Sequence, residues 1–334
     1  MKILYSTTLD GICIQRCFGL DGIVELPEEI EGRPVTEIGA YAFSDGLERA
    51  MALRGGPPRE GRVWDCGLGE PWEGESSPVL CGGLPAVSGY ALSMLSLPGG
   101  VKKVGAYALY GCGRLKRLEF SDGAVDWGAG VFTGCGGLKE LKIRWAAQGR
   151  SCLKEVLFEL RQTLEAELWE ADSLKARLVF PEFYEDSVEN TPARIIMREM
   201  YGCGHRYRYC FGQDQFLFQE YDGLFPYMKA QEACGLAARL ALCRLFWPFR
   251  LSEEAGREYQ AYLAAHPREA LDAAQGRWEE AMTGFLGESP GMGRRQLECM
   301  IERAGMAGRT QAAARLMDAL HRRFPAGSGR RFEL

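Results

Sequence analysis

The sequence predicts an α+β protein: an N-terminal solenoid of short parallel strands and short helical turns, followed by a mostly α-helical domain. Three observations carry that expectation. The block at 105–120 returns 23 residues later without a gap. Inside each block the apolar residues alternate in twos, as on one face of a strand. From Ser151 onward they fall three and four apart, as on one face of a helix.

A chain of 334 residues exceeds what one hydrophobic core usually serves, so two domains are expected. Apolar residues make up 46% and charged residues 25%, which is enough to bury a core. Residues 1–150 hold 16 Lys and Arg against 18 Asp and Glu, and 151–334 hold 24 against 27. Neither half has the positive field that nucleic acid or an anionic membrane would need, so the expected partner is a protein. The N-terminus, with Lys2 and then Asp10 breaking a mixed segment, lacks the continuous apolar core of a signal peptide. No apolar run is long enough to cross a bilayer. A cytoplasmic location is expected, and with it thiols at the 12 cysteines.

The repeat is GAYALYGCGRLKRLEF at 105–120 against GAGVFTGCGGLKELKI at 128–143. Gly105 matches Gly128, Leu109 matches Phe132, Cys112 matches Cys135, and Leu115 and Leu118 match Leu138 and Leu141. An earlier copy at 23–43 repeats Gly-Ala-Tyr-Ala and places Phe43 in the slot of Leu109. A degenerate copy at 82–97 keeps Leu92, Leu95 and Leu97 but loses the aromatic and cysteine slots. Between these two lies a Gly- and Pro-rich stretch, read as an irregular insertion near 47–80.

Each slot has a physical role. Leu95-x-Leu97 and Leu118-x-Phe120 place apolar side chains on one strand face, and stacked copies make a parallel sheet. The glycine that opens Gly-Ala-x-x-Phe/Leu is expected to permit a turn that a β-carbon resists. The segment after it fits a short helical turn whose ring plugs the core. Cys112 and Cys135 fit as small side chains buried between coils, with metal or redox chemistry as the alternative.

The pattern LPxxI…VTEIGAYAF followed by LKxL strands resembles the BspA-type leucine-rich repeats of bacterial surface and gut-associated proteins. The resemblance covers about residues 1–145 and implies a leucine-rich-repeat solenoid that binds a ligand through its repeat surface. It also implies that 1–22, with Leu9-Asp10-Gly11 between two strand-like segments, is a hairpin capping the first coil. The pattern contains no catalytic residues. The expected domains are then the cap at 1–22, the repeats at 23–145 and a mainly helical domain at 151–334.

In the second half, Leu153, Val156, Leu157, Leu160, Leu164 and Leu168 share one face of a helix capped by Ser151, and that helix would seal the open end of the solenoid. Residues 177–226 are mixed: strand-like RLVF, a Pro-Glu-Phe-Tyr turn, a helix through Ala193–Met200 and the aromatic segment HRYRYCF. After Pro226 the pattern is helical, with breaks at Trp247-Pro248, His266-Pro267, Gly287 to Gly293 and Ala304 to Gly308. The last two helices resemble a helical hairpin of the ankyrin or armadillo kind.

Little in the sequence points to catalysis. His266 and His321 have structural roles at helix ends, where His321 complements the exposed carbonyls. Cys203, His205 and Cys210 are candidate metal ligands, although their spacing is not that of a structural zinc site. Arg206, Tyr207, Arg208 and Tyr209 interleave bases with rings. As a strand they would put the arginines on one face and the tyrosines on the other. No phosphate-binding loop, dinucleotide fingerprint, nucleophile elbow or zinc-protease motif occurs, and no cofactor is expected. The expected function is a non-catalytic scaffold. The alternatives are a surface adhesin or exported effector, and an enzyme drawing on Cys203, His205, Glu220 or Asp222.

Overall fold

The structure is a computed structural model. It describes residues 1–45, 61–74, 76–77, 80–145, 151–190, 195–213 and 215–325, with backbone alone at 187–190 and 195–198. The chain divides into two compact units, Met1–Lys175 with Phe180–Leu217, and Ala176–Val179 with Phe218–Leu334.

The first unit begins with a hairpin. Strands Lys2–Thr7 and Ile12–Phe18 pair antiparallel around Leu9-Asp10-Gly11. Ile12–Phe18 then pairs in parallel with Arg33–Ile38, which pairs with Lys103–Val104, which pairs with Asp126–Trp127. A second parallel row runs through Ile23–Glu25, Met94–Ser96, Arg117–Ser121, Glu140–Arg144 and Leu164–Glu170. Successive coils contribute to both rows, which makes the chain a solenoid.

The spacing read from the sequence is the pitch of that solenoid. Leu95 lies opposite Leu118, and Leu118 opposite Leu141. Val24, Leu95, Leu118, Leu141 and Ala166 form one buried line, and Phe120, Ile143 and Leu168 a second. Each large apolar side chain so buried stabilises the stack by about 1.5–3 kcal/mol. The degenerate copy at 82–97 takes its place in register, with strand Met94–Ser96 after a short 3-10 turn, Gly89–Ala91.

Residues 47–60, 75, 78 and 79 of the expected insertion lie outside the described residues. In the rest of it, strands Arg62–Asp65 and Glu70–Trp72 form a hairpin that extends the first row antiparallel to Lys2–Thr7. Its anchor is Lys2 Nζ, 2.5 Å from Asp65 Oδ2.

The turns differ from expectation in two ways. Residues 105–112 form successive tight turns and not a helix: Ala108 N donates to Gly105 O, Tyr110 N to Tyr107 O and Cys112 N to Leu109 O. The opening glycine is also required for another reason than the expected one. A β-carbon on Gly128 would lie 2.3 Å from Ala106 N, so the glycine allows close approach of neighbouring coils.

The long helix expected from Ser151 is also corrected. Helix α1 covers only Leu153–Glu159, with Ser151 Oγ accepting from Leu153 N at 3.2 Å, and the chain is extended again at Leu160. Leu164–Glu170 is a strand, placing Ala166 opposite Leu141 and Leu168 opposite Ile143. Leu164 and Leu168 satisfy a helical spacing and an alternation equally well, and the unpaired edge of Glu140–Arg144 selects the strand. The solenoid is therefore one coil longer than predicted. The chain then turns at Ala171-Asp172 into strand Ser173–Phe180.

A second correction falls on Ala193–Met200, read as a helix. Residues 193–194 lie outside the described residues, and Ile195–Tyr201 is a strand paired antiparallel with Tyr184–Asn190. Stacking of Tyr184 on Tyr201, with centroids 4.8 Å apart, reinforces this pairing, a cross-strand contact that local helical spacing does not reveal. A third concerns HRYRYCF: helix α2, Gly204–Arg208, replaces the strand, burying Tyr207 and Arg208 and exposing Arg206 and Tyr209.

The second unit is helical: α3 Phe218–Gly223, α4 Phe225–Gln231, α5 Cys234–Phe246, α6 Glu253–Ala265, α7 Pro267–Ala273, α8 Glu279–Glu288, α9 Arg294–Met306 and α10 Thr310–Arg323. The breaks at Trp247, His266, Ser289–Gly293 and Ala307–Arg309 agree with the sequence. The break between α7 and α8 does not appear in the apolar pattern. Helices α5, α7 and α9 stack in one row and α8 and α10 in another, with α5/α6 and α9/α10 as hairpins. Ser252 Oγ caps α6 by accepting from Ala255 N at 3.2 Å. The core of this unit holds an ion pair. Arg244 donates to Asp222 through Nε and Nη2 at 2.7 and 2.8 Å, and Tyr259 donates its hydroxyl proton to Asp222 Oδ1 at 2.8 Å. Burial and the Asp222 charge hold the Tyr259 pKa well above its ordinary value, so the phenol remains a donor.

Candidate interaction surface

Two exposed features of the solenoid arise from its repeat. The first is a row of tyrosines on the turns. Tyr41 and Tyr107 occupy the same slot of Gly-Ala-Tyr-Ala, and both take left-handed backbone conformations, φ 59° and 57°. Arg16, itself buried, secures the first of these turns by donating to the carbonyls of Tyr41, Ala42 and Ser44. The two rings stack at 5.3 Å, and Tyr110 meets Tyr107 edge-on at 6.0 Å. In the next coil the slot holds Gly130, φ 66°, and a β-carbon there would lie 2.4 Å from the Tyr107 ring. The stack therefore ends where glycine makes room for it.

Tyr90 lies against Gly113 and is 68% exposed, while Tyr110 is 41% exposed. The carboxylate of Asp45 sits beside Gly89 and Gly111. Together these residues form an exposed aromatic patch with an acidic neighbour.

The second feature is the outer face of the second strand row. Arg117 contacts Glu119 at 2.9 Å and Glu140 at 3.1 Å, and Lys142 contacts Glu119 at 3.0 Å and lies over the Trp169 ring. Burial alone would raise the Glu119 pKa, but hydrogen bonds from Lys142 and Arg117 outweigh it and hold the carboxyl below its ordinary range. These charges satisfy one another, so a partner gains little by binding them. No family model matches the chain, and neither a curated protein nor a solved structure does.

The residues singled out in the sequence are placed as follows. Cys203 and Cys210 are buried, and His205 is half-buried with Nδ1 3.1 Å from Gly202 O. Cys210 Sγ donates to Arg206 O at 3.6 Å. Among the described residues no group of three or more His, Cys, Asp or Glu could hold a metal ion. Asp222 belongs to the Arg244 and Tyr259 network, and Glu220 is exposed. Cys112 and Cys135 are buried, and burial pushes both thiols up to about 12. His266 Nδ1 lies 3.0 Å from Tyr262 O at a helix junction, and His321 falls in the last turn of α10.

Sequence reasoning missed Tyr90 and, although it singled out Arg208, the buried role of that arginine. Arg208 is 1% exposed and donates to the carbonyls of Leu160, Gln162, Pro181 and Gly204. No local signal marks an arginine three of whose four acceptors lie 27 to 48 residues away. Tyr90 sits in the degenerate copy, whereas Tyr41 and Tyr107 were legible as a repeated residue. Among the described residues, no helix is long and apolar enough to cross a membrane.

Proposed function

We propose that this protein is a non-catalytic scaffold which binds a protein partner through its solenoid, an array of leucine-rich repeats resembling the BspA type. The exposed tyrosine patch carries the reading. Tyrosine supplies large contact area at low entropic cost, and interface hot spots are enriched in it. Tyr90 and Tyr110 are exposed on a turn row held rigid by the coil beneath, so little ordering entropy opposes binding. Asp45 beside them favours a partner that presents Lys or Arg to the ring faces.

The test uses full-length protein as bait in native lysate, with Tyr90→Ala/Tyr110→Ala and Glu140→Ala as parallel baits. A partner kept by the parent and Glu140→Ala but lost by the tyrosine variant supports the reading. Identical capture by all three baits overturns it.

A further inference from the structure

Helix α10 packs on α8 and α9 and buries Ala312, Leu316 and Ala319. Arg315 and Arg322 mark its α8 side, where they pair with Glu280 and Glu288. With about 3.6 residues per turn, the opposite side of α10 carries a second apolar stripe: Ala313, Met317, Leu320 and, directly after the helix, Phe324. Met317 is 46% exposed and the other three are half-buried. The α8 and α10 row thus ends on an apolar stripe, where the last unit of a helical stack ordinarily turns a polar face to water.

The stripe is complementary to itself. Its steps of four, three and four residues read the same in both directions. Two copies of α10 laid antiparallel, with a two-fold axis passing between Asp318 and Ala319, set Ala313 against Phe324 and Met317 against Leu320 on both sides of the axis. Each end then places a small side chain against a ring, and the two helix dipoles oppose one another favourably.

The charges on α9 fit the same axis. Arg294 Nη2 donates to Phe324 O at 2.8 Å, so α9 runs antiparallel to α10 with its start beside the end of α10. Arg295 near the start of α9 and Glu302 towards its end are both exposed. The two-fold axis brings Arg295 of one copy level with Glu302 of the other, and this happens twice. Arg295 has no carboxylate partner among the described residues, and Glu302 meets the exposed Arg268 at 3.2 Å.

We propose that this chain forms a two-fold homodimer through the outer face of α9 and α10, the stripe of one copy seated antiparallel on the stripe of the second. The inference goes beyond the tyrosine patch, which belongs to the first unit.

The experiment is sedimentation of the full chain over a range of concentrations. A small helical interface lies at the weak end of specific contacts, so the expected result is a reversible passage from monomer to dimer as concentration rises. Met317→Glu, on an exposed residue, should weaken association about tenfold or more, because two carboxylates would enter the apolar contact. Arg295→Glu should weaken it by setting like charges level, and adding Glu302→Arg to that variant should restore it. If Met317→Glu does not fold, the charge exchange decides alone. A monomer at every concentration, a dimer that Met317→Glu leaves unchanged, or a charge-exchanged variant no tighter than Arg295→Glu overturns the proposal.

Discussion

Cys135 donates its thiol hydrogen to the carbonyl of Leu109 at 3.2 Å, and one coil earlier Cys112 makes the same bond to Phe43 at 3.3 Å. The recurring cysteine thus joins each coil to the one before. Its pKa is pushed up to about 12 by burial, so it remains a thiol across the neutral range and does not attack electrophiles. In native protein, Cys234 should react with a thiol reagent first, then Cys66 and Cys299, because the other cysteines are buried. Denaturation without reductant should release all 12. Fast native labelling of Cys112 or Cys135, read by mass spectrometry, would contradict the stacked arrangement.

Phe132 fills the slot that Leu109 and Phe43 fill in earlier copies, and its ring stacks on Trp127 at 5.3 Å. Phe132→Ala should cost about 3–5 kcal/mol, because the cavity lies between coils that cannot collapse without losing strand register. Denaturant unfolding measures it, and an unchanged midpoint would refute the packing.

Arg208 ties the last strand turn of the first unit to α2 through four carbonyl acceptors, with no carboxylate among them. Burial lowers its pKa to about 10, so the group is still a cation at neutral pH. Arg208→Met should destabilise the protein by about 3–5 kcal/mol because buried carbonyls lose their donors. Arg208→Lys should recover only part of this, since an ammonium cannot span the fork that the guanidinium fills. Equal stability of both variants with the parent would show that the carbonyls find other donors.

Glu119 has a folded pKa below its ordinary value, and the sign of the pH effect follows. Its contribution is fully present above the unfolded glutamate pKa and is lost as pH falls through the lowered folded value. Glu119→Gln should therefore flatten the acid side of the stability profile and leave its shape at alkaline pH unchanged. Thermal midpoints measured from neutral to acid pH test this, and parallel curves would show that the ladder of Arg117, Lys142 and Glu119 does not couple to folding.

The amino-acid sequence by itself determined the pitch of the solenoid, the inward positions Leu95, Leu118 and Leu141, the two cysteine slots and most of the helix breaks in the second half. Each of these is local: one coil repeats the last, so a spacing in the chain is also a spacing between neighbours in space. Only the tertiary structure decided the rest. Leu164–Glu170 became a strand because an open sheet edge was available, and Ile195–Tyr201 because Tyr184–Asn190 pairs with it. Arg208 was buried because three distant carbonyls converge on it, and the tyrosine stack ended at Gly130 because Tyr107 of the previous coil occupies the space of its missing side chain. In each case the deciding partner is another strand, another coil or a group remote in sequence, and the periodicity of the segment itself carries no record of it.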